Sequence, residues 1–245
     1  MKGHALSLIM VAFVLLSGCR RGNPVEPGAE VLQYFPLAAG NTWEYQWTQV
    51  VDGREITDLD VVQLGQPSVV DGIKWYPEIA HPCREVSGLT PLACASYARM
   101  ESRIVSRRLL GIRYSPNETI ISSPIKAGSQ LYLSHRDTSY TDGNGAHVDL
   151  MTHAVRYVRG FENVEVPGGF FLNCVHIVDS SEYRREVTRF SSTSRRESHG
   201  RTDEWFASGV GLVKQAVETL SINDTSLTSH RQVHALQTYN VGVYY

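Results

Sequence analysis

The chain has 245 residues, with 23 Lys+Arg against 25 Asp+Glu and a formal charge of −2. It is 42% hydrophobic and 20% charged, with 20 Gly and 10 Pro, which is the composition of a folded chain rather than a disordered, collagenous or coiled-coil one. The near-neutral balance argues against a dedicated nucleic-acid binder, and the hydropathy pattern excludes a polytopic helical membrane protein.

The N-terminus is the most informative stretch. Lys2 supplies a positive start, and Ala5 to Leu16 form an apolar run of 12 residues. That is too short to cross a hydrocarbon core of about 30 Å as a stable helix, and it suits a secretory signal. The run ends in Leu16-Ser17-Gly18-Cys19, which resembles the lipobox of bacterial lipoproteins. The resemblance implies cleavage before the cysteine, so that residues 1–18 are a signal peptide and Cys19 carries the acyl chains. Two or three chains, at about 0.8 kcal/mol per buried methylene, hold a protein on a membrane where one would not. Arg20 after the cysteine resembles the enterobacterial signal for outer-membrane sorting, which implies an outer-membrane lipoprotein facing the periplasm or the surface. Residues 19–33, with two prolines and two glycines, read as a lipidated tether.

Three cysteines remain. Cys83 and Cys94 flank Gly88 and Pro91, and in an exported chain they are expected to form a disulfide. In the chain-entropy model its short loop constrains the unfolded state by roughly 3 kcal/mol. Cys174 lies in a near-continuous apolar run from Phe170 to Val178 and reads as a small buried hydrophobe on a strand.

Residues 34–245 read as one β-rich domain. Asp52-Gly53, Asp71-Gly72 and Asn144-Gly145 each sit between β-type segments and predict tight hairpins. Trp43, Tyr45 and Trp47 alternate with polar residues, as on a half-buried strand. Tyr97 to Arg108 lacks a helical stripe and predicts two strands. A faint repeat joins Pro36-Leu37-Ala38-Ala39-Gly40 to Pro124-Ile125-Lys126-Ala127-Gly128, each leading into a strand. Each is later followed by a glycine turn and an aromatic strand, Asp71 to Tyr76 and Pro167 to Phe171. Two related β units, about 34–122 and 123–245, are therefore expected to pack as a curved antiparallel sheet, half-barrel or sandwich with few or no long helices.

Tyr34 to Tyr45 (YFPLAAGNTWEY), Val164 to Phe170 (VEVPGGF) and Glu204 to Lys214 (EWFASGVGLVK) resemble segments of a group of uncharacterised bacterial envelope lipoproteins. The resemblance spans most of residues 34–220 and implies a shared β-rich fold and lipid anchor, without an activity. Gly209 and Gly211 in the last segment fit a strand–turn–strand corner with no room for a side chain.

The chain carries no nucleophile elbow, zinc-helix motif, Walker loop or dinucleotide fingerprint. Asp142-Gly143-Asn144-Gly145 begins like a calcium loop, but Ala146 and His147 follow where a ligand and the turn glycine belong, so it reads as a hairpin turn. Cys174 with His176, His81 near Cys83, His230 with His234, and Asp58 with Asp60 each have an ordinary structural reading. No metal and no cofactor are expected, and the chain is expected not to be an enzyme.

Two groups are candidate binding residues. Trp43, Tyr45, Trp47, Trp75 and Tyr76 are candidates to line an apolar ligand site. Arg184, Arg185, Arg189, Arg195, Arg196 and Arg201 are candidate anion contacts, because guanidinium forks suit phosphate and carboxylate groups. The expectation is a lipid-anchored, non-enzymatic envelope module that binds or scaffolds an envelope protein, lipid or polysaccharide. The alternatives are a carrier holding a lipid or other apolar ligand in a concave sheet, and an envelope hydrolase.

Overall fold

The computed structural model describes residues 29–51, 54–79, 95–110, 113–114, 117–223 and 226–242. The expected signal segment, Cys19, the expected Asp52-Gly53 hairpin turn, His81 and the expected Cys83–Cys94 disulfide lie outside the described residues. Among the described residues one short helix, α1 (Ala29–Tyr34), precedes fourteen strands. These are β1 (Thr42–Val51), β2 (Arg54–Gln63), β3 (Ser68–Val70), β4 (Ile73–Pro77), β5 (Ala95–Met100), β6 (Arg103–Leu110) and β7 (Arg113–Tyr114). The remainder are β8 (Glu118–Ser122), β9 (Gln130–Thr141), β10 (His147–Val166), β11 (Gly169–Arg189), β12 (Ser192–Ala207), β13 (Gly211–Asn223) and β14 (Ser226–Asn240). The fold is mainly β, as expected, and among the described residues no helix is long and apolar enough to cross a membrane.

The strands form two antiparallel sheets. The larger has eight strands in the order β2-β1-β14-β13-β12-β11-β10-β9, so its edges are β2 and β9 and it does not close into a barrel. The smaller has six, β3 to β8. The two sequence units therefore do not map onto the two sheets: β1 and β2 of the first unit join β9–β14 of the second.

The repeat is nevertheless visible in backbone geometry. Gly40 (φ 88°) donates its N–H to Leu64 O, and Leu64 N–H returns to Asn41 O. Gly128 (φ 80°) donates to Val158 O, and Val158 N–H returns to Ser129 O. Each left-handed glycine turn clamps a strand at a fully buried aliphatic residue, Leu64 or Val158.

Hairpin chemistry sets the rest. Asp71 and Gly72, both at positive φ, join β3 to β4. Between β9 and β10, Asp142 Oδ1 accepts the backbone N–H groups of Asn144 and Ala146, which makes the calcium-like segment a turn. Tyr97 to Arg108 falls on the hairpin of β5 and β6.

The sheets meet face to face at the base of the large sheet. Ile104 of β6 and Ile121 of β8 pack against Val158, Val175, Ile177 and Phe206, with Val31 of α1 inserted in the same cluster. A second cluster gathers Trp43, Tyr45, Leu64, Val164, Val166, Cys174, Val213 and Leu236. The tether is shorter than the sequence suggests. Val31 is fully buried, and Gly209 N–H bonds to Gln33 O, so residues 29–33 belong to the body. Their apolar content is too small to show helical periodicity.

Above this base β9–β14 project as a two-sided sheet. From Ser180 to Arg189, β11 continues for about 30 Å at strand rise.

Candidate functional site

The site builds from β1. The register pairs Trp43 with Val62, Tyr45 with Asp60 and Trp47 with Asp58, and on the other side pairs Tyr45 with Leu236 and Trp47 with His234. Directly opposed residues share a sheet face, so these side chains all point toward the small sheet. Trp43 Nε1 donates to Val210 O at 2.6 Å, and the Tyr45 hydroxyl donates to Leu212 O at 2.9 Å. Both acceptors lie at the β12–β13 corner, where Gly209 and Gly211 adopt φ of 76° and 104°. A Cβ on Gly211 would stand 3.3 Å from Trp43 Nε1, the crowding the sequence reading expected, whereas one on Gly209 would meet open space, so there only the positive φ favours glycine.

Between these aromatics and the small sheet lies a cleft of about 210 Å³. Phe35, Trp43, Val62, Leu64, Tyr97 and Leu212 supply apolar wall, and Asp60, Glu78, Gln215 and His234 supply a polar end. An engineered apolar cavity of about 150 Å³ takes up benzene, whereas drug-sized ligands use roughly 300–1,000 Å³. The cleft therefore fits a group the size of one ring.

Its electrostatics follow from burial. The Tyr45 hydroxyl is held well above its ordinary pKa, first by burial and then by the Glu78, Asp60 and Glu204 carboxylates, so it stays a neutral donor. Burial lowers the pKa of His234, against the pull of Asp60, whose Oδ2 lies 3.9 Å from its Nδ1. The His234 Nε2 meets Gln232 Nε2 at 2.6 Å. The polar end thus offers a neutral imidazole and carboxylates that can receive a donor from a bound molecule. Among the described lining residues there is no thiol or serine, and the Tyr45 phenol is already bonded to the backbone.

Behind the cleft, Gln215 donates to Glu204 at 2.8 Å, and Glu204 binds Arg156. Arg156 is buried, bonds Asp179 at 2.5 Å, and reaches Ile120 O of the small sheet through Nε at 3.1 Å. Burial opposes the charge on Arg156, but Glu204 and Asp179 more than offset it and hold its pKa above the ordinary value. This cluster ties the two sheets beside the cleft, and the sequence reading did not find it.

The opposite face carries a second unforeseen cluster. His176 is buried between Glu162 (2.9 Å) and Asp203 (2.7 Å) and stacks on Trp205 at 4.6 Å between ring centroids. Trp205 donates to Glu162, and Lys214 sits over its ring. Arg201 holds Asp203, whose pKa is lowered first by that bond. Cys174 is removed from this chemistry: its thiol contacts Phe171 O, and burial, then Glu162, push its pKa up to about 11. It is buried and free of disulfide, as expected.

Of the five candidate aromatics, Trp43 and Tyr45 line the cleft. Trp75 instead packs with Ala98 and Val105 beneath the Arg107 guanidinium, and Tyr76 packs against the main cluster. Trp47 lies further along β1.

The six arginines do not form one anion site. Arg184 binds Glu186, Arg195 binds Glu197 and Arg201 binds Asp203, so three of them are bridged on one face. Arg185, Arg189 and Arg196 occupy the other face, with Arg185 directly opposite Arg196. Strand alternation makes this division. Among the described residues, no three His, Cys, Asp or Glu side chains converge on a metal-sized site.

No family model and no curated protein matches the chain. Two solved structures align with it. One is an exported protein with a YmcC-like fold from Bacteroides fragilis, at 11% identity and a TM-score of 0.40. The other is a lipoprotein from Parabacteroides distasonis, at 14% identity and a TM-score of 0.41. Each alignment covers 84% of this chain and 98% of the other. Neither likeness is strong enough to carry a function to this chain.

Proposed function

We propose that the chain is a lipid-anchored protein of the bacterial cell envelope whose inter-sheet cleft binds, without transforming, a ring-sized apolar group with a polar end. The observation that carries the reading is the cleft itself. Trp43 and Tyr45 are immobilised by bonds to the β12–β13 corner, and Asp60 and His234 stand opposite as polar anchors. Side chains locked before binding lose little freedom on binding. The volume of about 210 Å³ supports a ring, or the ring of a partner's side chain, better than a whole acyl chain. The anchor rests on the lipobox-like segment ending at Cys19.

Two measurements test the reading. In a bacterial host fed labelled palmitate, the wild-type chain takes up label and partitions with membranes, whereas Cys19→Ala does neither; equal partitioning of the variant refutes the anchor. Titrated with indole, phenol and palmitate, the protein shows saturable tryptophan fluorescence changes with the ring compounds. Saturation by palmitate alone returns the cleft to the acyl-carrier reading.

A further inference from the structure

The projecting half of the large sheet separates its charges by face. Continuing outward from Asp179 and Glu204, the face shared with the small sheet carries Arg136, Arg185, Arg189 and Arg196, and the register of β9–β14 places no Asp or Glu beside them. The carboxylates of the same stretch, Asp137, Asp149, Glu182, Glu186, Glu197 and Glu218, all lie on the opposite face. Arg185 and Arg196 are directly opposed, a like-charge pairing that costs stability. The rim carboxylate is Asp142: the backbone of its own turn engages its Oδ1, and it lies within electrostatic reach of Arg189 and Arg185, so it offsets part of their charge. A sheet face that gathers four guanidiniums against a single rim carboxylate keeps a net positive charge and is complementary to an anionic partner.

The tip says which kind. Phe190, at the β11–β12 turn with φ 55°, is 95% exposed, and the Arg189 guanidinium lies 5.6 Å from its ring centre. At the same end of the sheet Leu227 is 66% exposed and Tyr140 is exposed as well. A soluble polyanion would satisfy the arginines and leave these apolar groups in water. A bilayer surface satisfies both, with phosphates for the guanidiniums and the acyl boundary for Phe190.

We propose that this hairpin end docks on an anionic phospholipid surface, with Arg185, Arg189 and Arg196 on headgroups and Phe190 inserted at the interface. Docking here needs no acyl chain, so it stands or falls separately from the Cys19 anchor. It places the lipid contact at the tips of β9–β14, away from the base on which α1 packs.

The test uses the full chain carrying Cys19→Ala, so that no acyl chain contributes. It is offered to vesicles of phosphatidylcholine alone and to vesicles containing a third phosphatidylglycerol. The expected result is preference for the anionic vesicles that fades as salt shortens the screening length. At about fivefold in binding per arginine near a charged surface, Arg185→Gln, Arg189→Gln and Arg196→Gln together lower it on the order of a hundredfold. Phe190→Ser weakens it further, and Arg195→Gln with Arg231→Gln on the opposite face leaves it unchanged. Equal partitioning of the Cys19→Ala chain between the two vesicles overturns the proposal, and so does an unchanged preference once the three arginines are also replaced. Tight binding of soluble polyphosphate without vesicle preference would also overturn it, by assigning the patch to a soluble polyanion.

Discussion

Arg156→Met removes the one cation from the cluster that joins the two sheets, at little change in side-chain length. The guanidinium bonds Asp179 and Glu204 and caps Ile120 O across the interface. Arg156 and Glu204 are both largely shielded from solvent, so the loss is not a surface pair worth a few tenths. Deleting one partner of a buried pair costs about 3–5 kcal/mol, mostly because the other charges stay behind without compensation. For a chain of this size that corresponds to a fall in Tm of roughly 6–20 °C.

The pH dependence carries the mechanism. In the variant the two carboxylates face each other without a cation; Asp179, which burial already holds above its ordinary pKa, loses the Arg156 charge that pulls it down, so its folded pKa rises further. Protonation of one of them then relieves the folded state, and the deficit shrinks as pH falls toward 5 and grows as it rises to 8. Urea unfolding at both pH values measures it. Adding Glu204→Gln to Arg156→Met recovers part of the loss, giving a positive coupling in the double-mutant cycle. A deficit below about 1 kcal/mol, or one indifferent to pH, would refute the assignment of Arg156 as the charged tie between sheets.

Two further outcomes follow from the site. Gly211→Ala forces a side chain into φ 104° against Trp43, and should cost about 1–3 kcal/mol in denaturant unfolding while displacing the Trp43 fluorescence maximum; an unperturbed spectrum would contradict the packing. His234 has a folded pKa below its ordinary 6.5, so its contribution is complete above pH 6.5 and is lost as pH falls through the lower folded value. His234→Gln should flatten stability as pH falls below 6.5, and an unchanged slope would mean that the imidazole is not buried neutral.

Local chemistry was legible in the sequence wherever one turn or one strand decides the outcome. Asp71-Gly72 and Asn144-Gly145 close hairpins because their residues tolerate positive φ or bond their own backbone. The Gly40 and Gly128 repeat reappears as the same pair of backbone bonds. What was not legible is non-local. Asp60 and His234 meet only because β1 lies between β2 and β14, and Arg156, Asp179 and Glu204 only because their strands stand in register. The arginine cluster shows the intermediate case. Odd and even positions along β11 already separate Arg185 and Arg189 from Arg184, but the parity on β12 has meaning only once Arg185 is known to oppose Arg196. The six-residue α1 left no signal, since one turn and a half of helix is held by packing rather than by propensity.

The most direct test of the central claim is native mass spectrometry of the protein released from bacterial envelopes, wild type beside Val62→Phe, which fills the cleft from its apolar wall. The account predicts a co-purifying small molecule bearing a ring on the wild-type chain, lost from a Val62→Phe variant that is otherwise folded. A wild-type chain that emerges without any such mass and takes up neither indole nor phenol, or a ligand held equally by the variant, would contradict it.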